Sequence, residues 1–340
     1  MKNVTKVLAL MMAMTFLILS LVACGVTPAP AAASATPAAS ATPEATATAT
    51  HVAEKATFVV GFANNNDVYD YCAKFRDYLV EESKALGIDV IVTDAKGDTN
   101  VQNGQIDDFL VQDAKVVSAI SNDLDGSVPA LESAKTANVP YISFLTTIRN
   151  ADDYPGFIYI GSQNYDAGVM QGEFLVKALP QNAKIIYFTG QPNDQQYTDR
   201  KAGLMDTLAQ RTDVTILTEY NVDNKKDLGM STAEDCLQAF PEFNAIVCQN
   251  DDSALGVVEA LKSANRLDGV ITVGLDGSAS ALASIEAGEL SMSVLQDARS
   301  QAKAGAQVFA QIRDGVDPAT IKDIMVPFAI ITKDNVAQYK

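Results

Sequence analysis

The chain is poor in the residues that most often perform nucleophilic or metal chemistry. It has one histidine, His51, four cysteines and no tryptophan among 340 residues. His51 lies in a segment made almost entirely of Ala, Thr, Pro and Ser, so the rest of the chain offers no histidine for acid–base catalysis or metal ligation. The cysteines have no CxxC spacing, which argues against a thiolate metal site. We therefore expect neither a metal nor another cofactor.

Positive charge is also scarce. The chain has 25 Lys and Arg against 42 Asp and Glu, a formal net charge of -17. Nucleic-acid-binding surfaces are basic, so this charge argues against a nucleic-acid partner. The acidic residues are spread along the chain instead of forming blocks, which is typical of a soluble surface outside the cytoplasm.

The N-terminus has the pattern of an export signal. Lys2 and Lys6 precede the apolar run "VLALMMAMTFLILSLVA", which ends in small residues. The following "LVACG" resembles the bacterial lipobox, in which the cysteine, here Cys24, is acylated before cleavage just ahead of it. A transmembrane helix is the alternative, because the apolar run is near the lower length limit for spanning a bilayer. We predict a lipoprotein signal peptide over residues 1–23 and a mature protein held by lipid on the extracytoplasmic face of the cell membrane.

Residues 24–56 are predicted to form a disordered tether. The segment is nearly all Ala, Thr, Pro and Ser and has no apolar face to bury. Once Cys24 is acylated, Cys72, Cys236 and Cys248 remain. An odd number argues against a disulfide framework and favours buried free thiols. A bridge from Cys72 to Cys236 is the alternative.

From Thr57 onward, short runs rich in Val and Ile alternate with longer segments of helical period. This alternation is the pattern of βαβ units around a parallel sheet. It occurs in two series, the first ending near "VPYISFL" and the second following "FIYIGSQNYDAG". The sequence thus predicts two similar α/β halves, although no close sequence repeat relates them.

Polar side chains follow the predicted strands at the points where the strands end. Ligands of open α/β sheets bind outside the carboxyl ends of the strands, so we expect these side chains to converge. Carboxylates accept hydrogen bonds, a guanidinium donates them and amides do both, which suits the vicinal hydroxyls of a small polyol. The candidates are Asn66, Asp70, Tyr71, Asn122, Asp194, Gln196, Arg200, Asn250, Asp276 and Gln296.

Each candidate also has a purely structural alternative. Asp251 or Asp252 can cap the helix predicted for "SALGVVEAL", and Asp276 can cap "SASALASIEAG". Residues 64–66 can be a polar turn without a role in binding. Arg200 can likewise be a solvated residue on a helix. The predicted site therefore depends on several strand ends converging, because no single residue is decisive.

The chain from Thr57 to Lys340 resembles the type 1 periplasmic sugar-binding proteins of ABC importers, especially the galactose/glucose-binding and ribose-binding members. The matching segments are "ANVPYISF", "GSQNYDAGVMQGEFLVK", "CQNDDSALGVVEALKSAN", "VGLDGSASALASIEAGEL", "MSVLQDARSQAKAG" and "KDNVAQYK". Their combination is specific to the family, and they span nearly all of the chain after the tether.

The resemblance implies sugar contacts for six residues. They are Asn250 of the "NDD" corner, Asp276 of "VGLD", Gln296 of "VLQD", Arg200, Asn122 and Tyr71. The ring of Tyr71 would contact the C–H face of a sugar.

The chain departs from the family pattern at several positions. Leu145 replaces a polar residue after the fourth strand, and Gln196 replaces an aspartate, with Asp194 two positions earlier. The stacking tryptophan of the galactose/glucose binders is missing, as is their acidic calcium loop, since "ALPQNAKII" has no carboxylate. The identity of the sugar therefore does not follow from the resemblance.

The resemblance implies two doubly wound parallel-sheet domains joined by three crossovers, near residues 161–164, 296–298 and 326–328. The expected lobes are residues 57–162 with 297–326, and residues 163–296 with 327–340. The implied function is that of a monomeric substrate-binding protein, not an enzyme, whose lobes close around a small sugar or polyol and present it to an ABC permease.

Two other functions remain open at this point. A sensor that presents the closed form to a chemoreceptor or kinase would have the same sequence features. A glycosidase using two of Asp251, Asp276 and Asp194 is the enzymatic alternative. The export signal, and the lack of a helix-turn-helix pattern before Thr57, argue against a repressor of the same fold.

Overall fold

The computed structural model describes residues 58–190 and 195–340. The predictions for the signal peptide, Cys24, the tether and Asp194 lie outside the described residues. Strands and helices alternate through most of the described chain, as the sequence predicts. In chain order they are β1 (Val59–Asn64), α1 (Asp70–Ala85), β2 (Asp89–Asp94), α2 (Thr99–Val111), β3 (Val116–Ile120), α3 (Val128–Ala137), β4 (Tyr141–Phe144), β5 (Phe157–Gly161), α4 (Asn164–Ala178), β6 (Lys184–Thr189), α5 (Gln195–Leu208), β7 (Thr215–Asn221), α6 (Lys226–Ala239), β8 (Ala245–Cys248), α7 (Asp251–Ser263), β9 (Ile271–Asp276), α8 (Ala279–Ala287), β10 (Met292–Leu295), α9 (Ala298–Arg313), β11 (Ile324–Met325) and β12 (Ala329–Thr332).

The strands form two six-stranded sheets with equivalent strand orders. The first sheet has the order β2-β1-β3-β4-β5-β11, and the second has the order β7-β6-β8-β9-β10-β12. Neighbouring strands are parallel except for β12, which pairs antiparallel with β10. The predicted fold class, two doubly wound parallel-sheet domains, is confirmed.

The chain passes between the two sheets three times. It leaves the first sheet after β5, returns after β10, and crosses again between β11 and β12. These passages lie at the three places expected for the crossovers. The lobe boundaries drawn from the sequence stay a prediction.

The inner strands of each sheet are buried on both faces. On β1, Phe62 packs into one hydrophobic cluster and its neighbour Ala63 into another. On β8, Ile246 and Val247 are likewise divided between two clusters. Because successive side chains of a strand point to opposite faces, a sheet covered by helices on both sides favours apolar residues at most strand positions. This is why the strands appear in the sequence as continuous runs of Val, Ile and Phe.

The three cysteines of the described chain are buried, and none of them forms a disulfide with another described cysteine. The alternative of a Cys72–Cys236 bridge is therefore wrong. Burial raises the pKa of the Cys236 thiol to about 11, so this thiol stays protonated at neutral pH.

None of the helices in residues 58–190 and 195–340 combines the length and apolar character that crossing a bilayer requires.

Candidate ligand-binding site

A cavity of about 150 Å³ lies where strands of both sheets end. Its walls include residues that follow β1, β3 and β4 of the first sheet, and residues at the ends of β8, β9 and β10 of the second. A cavity of roughly this volume can hold a molecule with one six-membered ring. The sequence candidates that line it are Asp70, Tyr71, Asn122, Gln196, Arg200, Asn250, Asp276 and Gln296.

Asn66 is the described candidate that does not line this cavity. Its side-chain Oδ1 accepts a hydrogen bond from the backbone N–H of Val68 at 3.0 Å, so the amide closes the turn after β1. Asn65 lines the cavity from this turn instead. For Asn66 the structure thus matches the polar-turn alternative.

Arg200, on α5, is buried and makes four hydrogen bonds to neutral oxygen atoms. Nε donates to Asn164 Oδ1 at 3.0 Å, and Nη1 donates to the backbone oxygen of Gln249 at 3.1 Å. Nη2 donates to Gln196 Oε1 and to Gln296 Oε1, both at 2.9 Å. Asn164 and Gln296 lie at the first two crossovers. The guanidinium therefore joins the cavity wall to two of the three crossovers.

Helix α5 is fixed by direct backbone contact with α4. A Cβ added to Gly168 would lie 1.9 Å from the carbonyl oxygen of Arg200, and a Cβ added to Gly203 would lie 2.1 Å from that of Tyr165. No side chain larger than hydrogen fits between the helices at these two positions. The glycines of "DAGVMQ" and "KAGLMD" thus set the depth of Arg200 relative to the cavity.

Asn250 is the N-cap of α7. Its Oδ1 accepts from the backbone N–H of Ser253 at 3.1 Å, and its Nδ2 donates to the backbone oxygen of Asn224 at 2.9 Å. The expectation that Asp251 or Asp252 caps this helix is wrong. Both polar atoms of the Asn250 side chain already have protein partners, although the residue lines the cavity.

Asp251 is buried behind the cavity. Its two carboxylate oxygens accept hydrogen bonds from the Ser293 hydroxyl at 2.6 Å and from the backbone N–H of Ser278 at 2.7 Å. Burial raises the pKa of Asp251 to about 6, although these hydrogen bonds oppose the shift. Asp251 therefore joins the ends of β8, β9 and β10 and has no free carboxylate oxygen for a ligand.

Asp276 ends β9 in an unusual backbone conformation, with φ of 131°. Residues with a Cβ rarely adopt this conformation, and such strain is most often found at functional sites. Ser278, not Asp276, caps α8, so that alternative for Asp276 is wrong. Burial and the nearby Asp251 carboxylate raise the pKa of Asp276 well above its ordinary value, while the charge of Arg200 opposes the shift.

Leu145 occupies the position in the first sheet that corresponds to Asp276 in the second. It follows β4, the fourth strand in its sheet order, as Asp276 ends β9. Leu145 also has a positive φ, 65°, and it lines the cavity. The two halves thus bring an apolar and an acidic side chain to equivalent places on facing walls.

Tyr71 is connected to the first crossover through a chain of hydrogen bonds. Its hydroxyl donates to Gln301 Oε1 at 2.7 Å, and Gln301 Nε2 donates to the Ser162 hydroxyl at 2.8 Å. Burial and the Asp276 carboxylate raise the pKa of Tyr71 well above its ordinary value, so the hydroxyl remains a donor at neutral pH.

The side chain of Asn122 has a buried hydrogen-bond donor without an acceptor among the described residues. Its backbone N–H donates to Gln102 Oε1 at 3.0 Å, which fixes the loop after β3. Its side-chain Nδ2 is buried and has no partner among the described residues. A buried amide donor without an acceptor costs about 1–3 kcal/mol, so this atom calls for an acceptor in the cavity.

Several lining residues were not among the sequence candidates. Gln249 directly precedes Asn250 at the end of β8, and its Nε2 donates to the backbone oxygen of Tyr197 at 3.1 Å. Proximity to a strand end was the available signal for most of them, but it does not separate lining residues from their neighbours. The additional lining residues are Asn65, Tyr69, Cys72, Gly97, Ile120, Asp123, Leu145, Asn224, Gln249 and Asp252.

The chain is similar to known binding proteins over most of its length. A family model described as a periplasmic binding protein domain matches residues 60–316. A putative rhizopine-binding protein of Rhizobium meliloti is 29% identical over 270 residues, which cover 78% of this chain and 87% of the relative. The ribose import binding protein RbsB of Bacillus subtilis is 27% identical over 242 residues, covering 71% and 77%. An ABC transporter solute binding protein from Bacillus halodurans, solved with bound myo-inositol, superposes with a TM-score of 0.78 at 25% identity over 83% of this chain and 96% of that one.

Proposed function

Because the chain belongs to the periplasmic binding protein family, we propose that it captures one small sugar or cyclic polyol between its two lobes. The observation that supports this proposal is the cavity of about 150 Å³, which carboxylates and amides at the strand ends surround. Asn122, whose Nδ2 has no partner among the described residues, also lines it. The wall contains both donors and acceptors, and vicinal hydroxyls can satisfy both kinds. The site residues proposed from the sequence are therefore retained, apart from Asn66, whose side chain closes a turn.

The relatives support a ligand with several hydroxyl groups. One relative is a ribose import binding protein and another was solved with bound myo-inositol, and these two molecules share vicinal hydroxyls on a small ring. Members of this family bind substrates without converting them, and the buried, doubly hydrogen-bonded Asp251 also weakens the glycosidase alternative. We therefore infer that this chain is a binding protein.

Closure of the lobes is the proposed mechanism. A ligand that contacts both sheets stabilises the closed form by its higher affinity for that form. Arg200 is hydrogen-bonded to crossover residues, and Tyr71 is linked to Ser162 of the first crossover through Gln301. A ligand that orders these two side chains therefore also orders the segments that must bend. We propose that an ABC permease recognises the closed form and that lipid on Cys24 keeps the protein at the membrane surface.

A thermal-shift screen tests the proposed function. The full mature chain would be heated with pentoses, hexoses, inositols and linear polyols, with amino acids and short peptides as the comparison class. A ligand at one hundred times its dissociation constant stabilises the native state by about 2.7 kcal/mol, which raises the melting temperature measurably. If the amino acids or peptides raise it and no sugar or polyol does, the proposal is wrong.

A further inference from the structure

Two aliphatic side chains line the cavity at the ends of β3 and β4. Ile120 is the last residue of β3, Leu145 directly follows β4, and both are cavity-lining residues. The sheet register pairs Ile120 with Phe144, the residue before Leu145, so the two lie on adjacent strands at the same edge of the sheet. Both also pack into the same hydrophobic cluster. Ile120 and Leu145 together are called the apolar patch below.

The backbone polar groups of the apolar patch are used within the protein. The N–H of Leu145 donates to the backbone oxygen of Ile160 at 3.0 Å, and its carbonyl oxygen accepts from the Tyr159 hydroxyl at 3.0 Å. The carbonyl oxygen of Ile120 accepts from Gln102 Nε2 at 2.8 Å. The apolar patch therefore presents aliphatic carbon to the cavity.

The equivalent places in the second sheet are polar. The strand orders match β3 with β8 and β4 with β9. Gln249 and Asn250 follow β8, Asp276 ends β9, and all three line the cavity. A ring that places a hydroxyl against Asp276 turns its opposite edge toward Leu145. The two edges of such a ring therefore meet different chemistry.

A hydroxyl group that faces the apolar patch lowers the affinity of a ligand. It gives up its hydrogen bonds to water on binding and finds no donor or acceptor in the two aliphatic side chains. A hydrogen atom on the same ring carbon needs no partner and can contact the side chains directly. Replacing the hydroxyl by hydrogen should therefore raise affinity about tenfold or more.

We propose that Leu145 is a specificity-determining residue, which selects a small cyclic polyol with hydrogen instead of hydroxyl on the ring carbon that faces the end of β4. The other hydroxyls of the ring are retained, because Asn122 and the amides and carboxylates of the remaining strand ends can bind them. The inference rests on the proposed function, since it assigns a chemical feature to the ligand of that same cavity.

The backbone of Leu145 makes this position suitable for substitution. Its φ of 65° lies in the left-handed region, which leucine rarely adopts and asparagine adopts more readily. Leu145→Asn therefore suits the local backbone and adds a donor and an acceptor to the cavity wall. Leu145→Met is the matched control, because it keeps an apolar side chain of similar volume.

Matched pairs of probes test the inference in the full mature chain. Myo-inositol would be compared with its monodeoxy derivatives, glucose with 2-, 3-, 4- and 6-deoxyglucose, and ribose with 2-deoxyribose and 5-deoxyribose. Isothermal titration calorimetry is expected to find at least one deoxy compound that binds about tenfold or more tightly than its parent. This comparison uses the wild type and does not depend on the folding of any variant.

The two variants then assign the preference to Leu145. Leu145→Asn is expected to bring the ratio of deoxy to parent affinity to about one or below, because the hydroxyl of the parent gains a partner. Leu145→Met should keep the ratio of the wild type. Thermal unfolding of both variants without ligand establishes that they are folded before the titrations are compared.

The outcomes separate this inference from the proposed function. If a parent polyol binds and no deoxy derivative binds more tightly, the inference is wrong and the proposed function stands. If a deoxy compound is preferred and folded Leu145→Asn keeps that preference, the assignment to Leu145 is wrong. If neither the parents nor the deoxy derivatives bind, the proposed function is wrong and the inference fails with it.

Discussion

At the scale of single residues, Asn122 and Asn250 both follow strands and both line the cavity, but their side chains have different partners. Asn122→Ala removes a buried donor that has no partner among the described residues, so the free energy of unfolding without ligand should not fall. Affinity for the best sugar or polyol should fall about tenfold or more, because a buried ligand oxygen loses its donor.

Asn250→Ala is expected to show the opposite balance. It removes the cap of α7 and the hydrogen bond to Asn224, which should lower stability without ligand by about 1 kcal/mol. Chemical denaturation and calorimetric titration of both variants provide the measurements. Equal losses of stability in the two variants would contradict these roles.

Asp251 should make stability depend on pH. Its pKa is raised from 3.8 to about 6 in the folded protein, so folding favours the protonated carboxyl. This contribution to stability is complete below the unfolded pKa and is lost as pH rises through about 6. The stability of the wild type relative to Asp251→Asn should therefore decrease between pH 4 and pH 7, by on the order of 1 kcal/mol or more.

Urea unfolding of the wild type and of Asp251→Asn across that pH range provides the measurement. The test is how the difference between their free energies of unfolding changes with pH. The neighbouring groups that titrate or carry charge are Asp252, Asp276 and Arg200. Asp107→Asn, which removes one negative charge from an exposed position on α2, serves as the control. A constant difference between the wild type and Asp251→Asn would show that the Asp251 pKa is not raised.

At the scale of elements, the close contact of α4 and α5 predicts that Gly168→Ala is destabilising. The new methyl group would overlap the carbonyl oxygen of Arg200, so the helices must separate, at a cost of about 1–3 kcal/mol. Separation also shifts the guanidinium, so ligand affinity should fall together with stability.

Gly104→Ala is the matched control on α2. No atom lies within 4 Å of the added Cβ, so this variant should gain about 0.4–1 kcal/mol from reduced freedom of the unfolded chain. Thermal unfolding and calorimetric titration of both variants provide the measurements. An unchanged melting temperature for Gly168→Ala would mean that α4 and α5 do not depend on this contact.

The elements themselves were largely predictable from the sequence, because apolar runs and helical periodicity reflect burial on both faces of each sheet. The crossovers followed from the family resemblance, whereas the short strands β11 and β12 carry too few residues to show a period. The site was harder to predict. Asn66 and Asn250 both follow strands, and only their rotamers and neighbours determine that one closes a turn and the other caps a helix. The interactions of Arg200 with Asn164 and Gln296 likewise depend on distant parts of the chain.

At the scale of the whole molecule, the N-terminal prediction can be tested in cells. Wild-type protein should incorporate labelled fatty acid and lose residues 1–23, because the sequence around Cys24 resembles a lipobox. Cys24→Ser should abolish labelling and leave the precursor uncleaved. Fractionation, metabolic labelling and mass spectrometry of both proteins provide the measurement. If the variant has the same processed length and membrane location as the wild type, the lipoprotein assignment is wrong.

The three passages between the sheets also determine the order in which the halves can mature during synthesis. Phe75 and Leu79 of α1 share a hydrophobic cluster with Val308 and Phe309 of α9, and β11 is the edge strand of the first sheet. These late segments leave the ribosome only after every strand from β6 to β10 has been made. The half that is translated first therefore cannot complete its core until nearly the entire polypeptide is available. A chain truncated after β10 would expose apolar surface in the half whose strands were made earliest.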